Sequence, residues 1–277
     1  MAVMNLRFFR LPAAMRLSYL RKVGDQFFSA HRLPQLLKRI FKNETGYLVE
    51  FIIQESLFSG VIEKILSHQD QINGNLSKWK MVFLRSFIRL AKPEVVVETG
   101  VAHGSSSAVI LDALHQNQRG KLYSIDLPIA LSSTGRMTPW LQDYSFHPDD
   151  VSVVPDFDQV GWLVPRQFHD RWELLLGNSL VELPKLVRTL GQIDLFFHDS
   201  LHLYEHMMQE FDMVWPFLKS GGFILSDDIF IRDHPVIHDF ARRNGLGFKN
   251  FLEVGIIGKK TNGKGLLQNS MAVKDDQ

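Results

Sequence analysis

Three acidic side chains stand where they could bind one cation together. Asp199 follows the apolar run 193–197, and Asp227 and Asp228 follow the run 222–225. If these runs are parallel strands, their carboxyl ends meet at one rim of a sheet, where ligands commonly bind. Like charges repel unless a cation or protons neutralise them, and hard oxygen ligands suit Mg²⁺, Ca²⁺ or Mn²⁺. The sequence therefore predicts a divalent metal, Mg²⁺ first, at Asp199, Asp227 and Asp228. The alternative is that these acids cap helices or remain solvated.

A histidine lies close to this predicted acid cluster. His202 comes three residues after Asp199, in the expected first turn of the next helix. An imidazole titrates near neutral pH, so it is suited to general-base chemistry. His202 and Asp199 are therefore the predicted catalytic residues, although a lone histidine is more often structural. His103, His198 and His206 are expected to be structural.

A glycine-containing turn is the second candidate site. The strand ending in Glu98 enters a turn with Gly100 and Gly104, and the serines at 105–107 follow. Glycine lets a backbone approach a ligand closely, and a helix N-terminus favours anionic groups. The G-x-x-x-G spacing matches neither the dinucleotide fingerprint nor the phosphate loop. The alternative is a tight turn that simply needs two glycines.

Asp126 ends the apolar run 121–125. In doubly wound folds, an acid at this place can accept hydrogen bonds from both ribose hydroxyls of a nucleoside. Its separation from Gly104, about 20 residues, favours that role. The alternative is a helix cap or a turn residue.

The elements that position these residues alternate between strand and helix. Seven strands are predicted, at 94–98, 121–125, 172–176, 193–197 and 222–225 with two more inside 247–259, and helical patterns such as 202–218 separate most of them. Such alternation predicts a doubly wound, mostly parallel α/β sheet covered on both faces.

Two segments depart from this alternation. Residues 1–75 are predicted to form a helical N-terminal extension, basic and amphipathic to about residue 45, before a domain at 76–277. In the favoured interpretation, the basic arm to about residue 45 packs on the core. In the alternative, it lies on an anionic membrane surface or against a partner. Residues 127–167 carry five prolines and five large aromatic residues. This long insertion is predicted to be a lid, with a surface insertion as the alternative.

Composition excludes several classes of protein. The 277 residues are 45% apolar with a net charge of +1, so nothing in the overall charge favours nucleic acid. Cysteine is absent, which excludes disulfides and thiolate metal sites. No apolar run approaches the roughly 20 residues that span a bilayer. Arg7, Arg10 and Arg16 interrupt the start, which is unlike a secretory signal, so a cytoplasmic location is expected.

The ordered set of motifs resembles the class I S-adenosylmethionine-dependent methyltransferases over roughly residues 76–260. The segment 98–104 is similar to their first cofactor motif, and Asp126 matches their ribose-binding acid. The segment 177–179 resembles the loop beside the adenine, 193–229 the fourth and fifth strands, and 251–259 the closing hairpin. This resemblance implies a Rossmann-like fold and S-adenosylmethionine as the cofactor.

The resemblance also implies residue roles. Glu98, Gly100, Gly104 and Ser106 would hold the methionine end of the cofactor, Asp126 the ribose, and Asn178 with Ser179 the adenine edge. Asp199 with Asp227 and Asp228 resembles the metal triad of catechol-type and macrolide-sugar O-methyltransferases. In those enzymes the metal binds the accepting hydroxyls, and His202 stands where their base stands.

The predicted function is therefore metal-assisted O-methylation of a hydroxyl on a small molecule or sugar, with a homodimer as one arrangement. A rival interpretation is a non-haem iron hydroxylase that uses His198, Asp199 and His202 as ligands. A second rival is a non-catalytic binding scaffold that keeps the fold.

Overall fold

In the computed structural model, the described residues are 29–72, 76–130, 153–154, 159–230 and 235–259. The helices are α1 (29–40), α2 (Gly46–Leu57), α3 (Gly60–Ser67), α4 (Lys78–Ala91), α5 (Ser105–Gln116), α6 (Ser179–Leu190), α7 (Tyr204–Val214) and α8 (Val236–Arg243). The strands are β1 (Val95–Thr99), β2 (Lys121–Asp126), β3 (Ile129–Ala130), β4 (Val153–Val154), β5 (Trp172–Leu176), β6 (Ile193–His198), β7 (Leu218–Ser226), β8 (Phe248–Phe251) and β9 (Val254–Gly258).

A seven-stranded sheet confirms the predicted fold class. Its order is β5-β2-β1-β6-β7-β9-β8, and β3 with β4 forms a separate two-stranded pair. The pairs from β5 to β7 are parallel, whereas β9 runs antiparallel to both β7 and β8. The strand order reverses between β1 and β6, which is the place where open α/β sheets bind ligands.

The two faces of the sheet bury separate apolar cores. Successive side chains of a strand point to opposite faces, so Val96 packs with α4 and α5 whereas Val97 packs with α6, α7 and α8. Both valines are fully buried. This continuous burial explains why β1 is an uninterrupted apolar run in the sequence.

The N-terminal helices pack on the first of these cores. Leu33 and Leu37 of α1, Val49 of α2 and Ile62 of α3 are fully buried in the same cluster as Val96. Residues 29–72 therefore pack on the core, and whether the arm also contacts a membrane surface or a partner stays a prediction. Residues 1–28 and the turn at 73–75 lie outside the described residues.

The predicted lid is described only in part. Residues 131–152 and 155–158 lie outside the described residues, so a lid role stays a prediction. The end of the insertion packs against the glycine-containing turn: the Gly161 N–H donates to the Ala102 carbonyl at 2.8 Å and the Leu163 N–H to the His103 carbonyl at 3.0 Å. Within the described ranges, no helix combines the length and the apolar character needed to cross a bilayer.

Candidate active site

The turns after β1, β6 and β7 form one rim at the carboxyl edge of the sheet. The Asp199 N–H donates to the Thr99 carbonyl at 2.8 Å, and the Asp227 N–H donates to the His198 carbonyl at 2.9 Å. The strands thus stay paired up to the predicted site residues. Asp199 and Asp227 are brought together by the sheet register, as the sequence predicted.

A lysine that the sequence did not single out lies among these acids. Lys80 of α4 places its Nζ 2.9 Å from Asp227 Oδ1, 2.7 Å from Asp228 Oδ1 and 2.9 Å from Glu253 Oε2. We call Lys80, Asp199, Asp227, Asp228 and Glu253 the acid rim. The Lys80 and Asp227 side chains are only 8% and 4% exposed, so this part of the ion cluster is largely removed from water.

The electrostatics of the acid rim follow from its burial and its excess of negative charge. Burial, and then the charges of Asp227 and Asp228, raise the pKa of Asp199 well above its usual range. Burial raises the pKa of Asp227 to about 6, although Lys80 opposes this shift. The neighbouring carboxylates raise the pKa of Lys80 against the effect of burial, so its ammonium stays charged.

The predicted metal triad does not fit a divalent ion in this arrangement. Between Asp227 and Asp228 lies the ammonium of Lys80, which already supplies a cation to both carboxylates. Among the described residues, no group of three or more acidic, histidine or cysteine side chains is arranged to hold a metal ion. The sequence pattern showed the acids but not the lysine, which comes from a helix more than 100 positions earlier.

His202 has a different structural setting from the one predicted. It lies in the 199–203 loop, because α7 begins only at Tyr204. Its Nε2 is 3.9 Å from Asp199 Oδ1 and has no hydrogen-bond partner among the described residues. Burial, and then the neighbouring His198, lower the pKa of His202 to about 3, so the imidazole is neutral with an available lone pair.

Glu210 organises the layer beneath the rim and was missed by the sequence reasoning. This fully buried carboxylate accepts hydrogen bonds from the Thr99 hydroxyl at 2.7 Å and the Ser200 hydroxyl at 3.0 Å. His198 Nδ1 and His206 Nε2 lie 2.8 and 3.0 Å from its two oxygens. Although burial opposes it, His198 holds the pKa of Glu210 well below its usual range.

A sequence signal for Glu210 did exist. The residue shares a helical spacing with the buried Met207, Phe211 and Val214 of α7, and a charge on an apolar helix face needs a partner.

The hydrogen bonds of Glu210 also involve one of the residues in the rival prediction of an iron site. His198 commits its Nδ1 to Glu210, and its ring lies edge-on to His202 at a centroid distance of 5.3 Å.

The two glycines of the turn are explained by contacts within the protein. Gly100 has φ 88°, and a Cβ there would lie 2.0 Å from the Asp199 carbonyl oxygen. Gly104 has φ 90°, and a Cβ there would lie 2.7 Å from Gly161 Cα. The tight-turn alternative therefore accounts for both glycines, and a cofactor contact by their backbone stays a prediction.

Glu98 and Ser106 are both buried below the surface where a cofactor would contact the turn. Glu98 is fully buried, and its Oε2 accepts hydrogen bonds from Ser107 at 2.6 Å and from Ser124 at 2.7 Å. Burial raises the pKa of Glu98 to about 7, although serine hydroxyls oppose the shift. Its Oε1 has no hydrogen-bond partner among the described residues, and a contact with the methionine end of the cofactor stays a prediction. Ser106 is buried in the first turn of α5, and Gly104 caps that helix.

Asp126 lies at the end of β2, where the sequence placed it. Its Oδ1 accepts the Val101 N–H at 3.1 Å, so the carboxylate also fixes the glycine-containing turn. Burial raises the pKa of Asp126 to about 6 against these backbone hydrogen bonds. Leu127 beside it and Leu176, its neighbour in the β2–β5 register, are large apolar side chains exposed at 39% and 51%. An acid flanked by exposed apolar side chains fits a nucleoside, which has hydroxyls and a flat apolar base.

The two residues predicted at the adenine edge have other partners. Asn178 is the N-cap of α6, and its side chain accepts the Leu180 N–H at 2.9 Å. Ser179 is buried, with its hydroxyl 3.1 Å from His206 Nε2. An adenine contact through their side chains stays a prediction.

Comparison with known proteins finds a family match for the part of the chain that forms this site. Residues 97–229 match the family described as a methyltransferase domain. No curated protein matches the chain. A methyltransferase from Podospora anserina bound to S-adenosylhomocysteine is similar in structure, with 14% identity, 75% of this chain and 88% of that chain covered, and a TM-score of 0.50.

A Staphylococcus aureus protein with an inferred assignment as a caffeoyl-CoA O-methyltransferase is similar to the same degree. It has 14% identity and a TM-score of 0.50, with 78% of this chain and 98% of that chain covered. Both similarities show the fold, and the family match runs from Val97 within β1 to Ile229, just past Asp227 and Asp228. The family match and the sheet order together support a class I S-adenosylmethionine-dependent methyltransferase.

Proposed function

We propose that this methyltransferase methylates a hydroxyl oxygen of a small molecule or sugar, with Asp126 on the cofactor side and His202 with Asp199 on the acceptor side. The observation that carries this proposal is the position of the turn at 100–102. Its Val101 N–H is hydrogen-bonded to Asp126, and Gly100 lies against the Asp199 backbone. A single turn thus separates the nucleoside acid from the acceptor acid.

His202 is placed to receive the acceptor's proton, and this role requires that the bound acceptor raise the pKa of His202 from about 3. It is neutral, and its Nε2 is buried without a hydrogen-bond partner among the described residues. A buried acceptor without a partner is costly in a folded protein. An acceptor hydroxyl that donated to Nε2 would remove that cost and would be oriented for reaction.

The proposed reaction balances without a further reactant. The cofactor supplies a methyl group on a sulfonium sulfur. The acceptor oxygen forms a bond to that carbon, the carbon–sulfur bond breaks, and its electron pair goes to sulfur, which leaves S-adenosylhomocysteine. His202 takes the hydroxyl proton at Nε2, which lies 3.9 Å from Asp199 Oδ1. Much of the rate would come from holding oxygen and methyl in line.

Two observations support the proposed acceptor class. The Staphylococcus aureus protein is described as an O-methyltransferase, and the net charge of +1 gives no reason to expect a nucleic acid. No reaction step is assigned to a divalent ion, because Lys80 lies between the two adjacent carboxylates.

Thermal unfolding with S-adenosylmethionine or S-adenosylhomocysteine tests the cofactor site. Ligand at about 100 times its dissociation constant should stabilise the wild-type protein by roughly 2.7 kcal/mol. Asp126→Ala should lose this shift, whereas Asp170→Ala, at an exposed position, should keep it. A shift of equal size in both variants would contradict the role of Asp126. No shift in the folded wild-type protein would contradict the binding site itself.

A methyl-transfer assay tests the acceptor site. Transfer of labelled methyl from S-adenosylmethionine to phenols and sugars, followed by identification of the methylated atom, should give an O-methyl product. Methylation only at nitrogen or carbon across a broad acceptor set would contradict the proposal.

A further inference from the structure

Lys80 fills the part of the acid rim that a metal ion would need. An ammonium has three N–H donors, and Lys80 has three carboxylate oxygens at 2.7–2.9 Å, one each from Asp227, Asp228 and Glu253. The contact with Asp228 is a charge-assisted hydrogen bond, whereas Asp227 Oδ1 and Glu253 Oε2 lie at ion-pair distance, and Asp227 Oδ1 has no hydrogen-bond partner among the described residues. A divalent ion would need the same oxygens at about 2.0–2.6 Å, so it could not share the space with the ammonium.

The helix that carries Lys80 is fixed in place. Ser77 caps α4 by accepting the Lys80 N–H at 3.4 Å. One turn further on, the Phe83 ring stacks on Phe251 of β8 with a centroid distance of 5.2 Å. Phe251 lies just before the turn that contains Glu253. The lysine and one of its acids are thus held by the same packed pair, so Lys80 cannot retreat far without separating α4 from the sheet.

The charge on the rim also favours an internal cation over an open metal site. Asp227 is 4% exposed, and water therefore does little to solvate its carboxylate. A buried carboxylate needs a cation or a proton. Lys80 supplies that cation from within the chain, at 2.9 Å from Asp227 Oδ1, and its raised pKa keeps the ammonium protonated.

We infer that Lys80 takes the place of the divalent cation at this acid rim, so that the methyltransferase works without a bound metal. Lys80 is then a positioning residue: it holds Asp227, Asp228 and Glu253 together beside Asp199 and His202. The inference rests on the proposed function for its catalytic meaning, but its test by metal binding does not require methyl transfer.

Manganese binding to the purified full chain, measured by electron paramagnetic resonance, tests the inference. The wild-type protein should bind no Mn²⁺ at the rim up to about 1 mM, the weak end of divalent-site affinities. Lys80→Met removes the ammonium and should create a Mn²⁺ site with affinity at least about tenfold stronger than that limit. Lys80→Arg should not bind Mn²⁺. Lys185→Met, which removes an exposed lysine paired with Glu182, is the matched control and should also not bind.

Two results would overturn the inference. One is Mn²⁺ binding by the wild-type protein that Asp227→Asn abolishes. The other is a folded Lys80→Met variant, judged by circular dichroism, that binds no Mn²⁺. If Lys80→Met does not fold, the wild-type and Asp227→Asn titrations alone decide. Failure of the proposed function would show instead as loss of the cofactor's thermal shift, so the two failures are distinguishable.

Discussion

Helix α4 carries two buried cations, Lys80 and Arg85, and they serve different regions of the molecule. Arg85 is 3% exposed and is bonded to Asp112 at 2.6 Å, Glu55 at 3.0 Å and the Ser56 hydroxyl at 3.1 Å. This cluster lies between helices, on one face of the sheet. Lys80, five residues earlier, lies at the carboxyl edge of the sheet among the acids of the rim.

The balance of charge separates the two clusters. In the helix cluster, Arg85 and Arg89 face Glu55 and Asp112. Although burial opposes it, Arg85 holds the pKa of Glu55 below its usual range. At the rim, one lysine faces Asp199, Asp227, Asp228 and Glu253, and burial raises the pKa of Asp227 to about 6. A buried cluster with matched positive and negative charges is typical of a structural role. An excess of one sign of charge with perturbed pKa values is typical of a functional site.

The comparison can be tested first at Arg85. Arg85→Met should lower the free energy of unfolding by about 3–5 kcal/mol, because it leaves Asp112 buried without its cation. Urea unfolding followed by circular dichroism measures the loss. A change below about 1 kcal/mol would contradict a structural role for this cluster.

At the rim, the larger expected effect is on catalysis rather than stability. His202→Ala should lower kcat by about 100-fold or more, because it removes the proposed proton acceptor. The cofactor-induced thermal shift should stay unchanged. His169→Ala, at an exposed position, is the matched control. Equal rates for the two variants would exclude His202 as the base.

Lys80→Met should cost less stability than Arg85→Met, about 2 kcal/mol at about pH 8. Two of its partners, Asp228 and Glu253, are 28% and 55% exposed, so water can solvate them in the variant. The pKa of Lys80 is raised, so its ammonium stays protonated at both about pH 5 and about pH 8, and any pH dependence comes from its partners.

The pH dependence of this loss gives a sharper test. The pKa of Asp227 is already raised to about 6 with Lys80 present and should rise further without it. At about pH 5 the carboxyl of the variant is protonated and no longer needs a cation. Urea unfolding should therefore show a smaller loss at about pH 5 than at about pH 8. An equal loss at both values would mean that Lys80 acts through packing alone.

The smallest effect is expected at an exposed ion pair. Lys121 lies 3.1 Å from Glu173, and both side chains are more than 40% exposed. Lys121→Ala should change the free energy of unfolding by less than about 1 kcal/mol, because water screens the pair. A larger loss of unfolding free energy, measured in urea, would show that the distance between the charges, without burial, determines how much an ion pair stabilises this protein.

Local sequence determined much of the architecture. The strand at β5 was predicted at its observed bounds, and those at β1, β2 and β6 to within one residue. Buried parallel strands are continuous apolar runs, so the chain itself marks them. The strand-end positions of Asp126, Asp199 and Asp227 followed from the same runs. The start of α7 was less accurate, because the mixed polar and apolar residues 199–203 fit a loop as well as a helix.

Only the tertiary structure decided what surrounds those residues. Lys80 and Asp227 are 147 positions apart, and no local pattern connects a helix surface with a strand end at that separation. Glu210 likewise gains its partners from β1 and from the 198–206 segment by folding. The hydrophobic periodicity of a sequence indicates which side chains are buried. The partner of a buried charge, however, is determined by packing between elements that are distant in the sequence. The sequence therefore determined the sheet and the acids along its edge, and the packing of α4 against that edge determined which cation they hold.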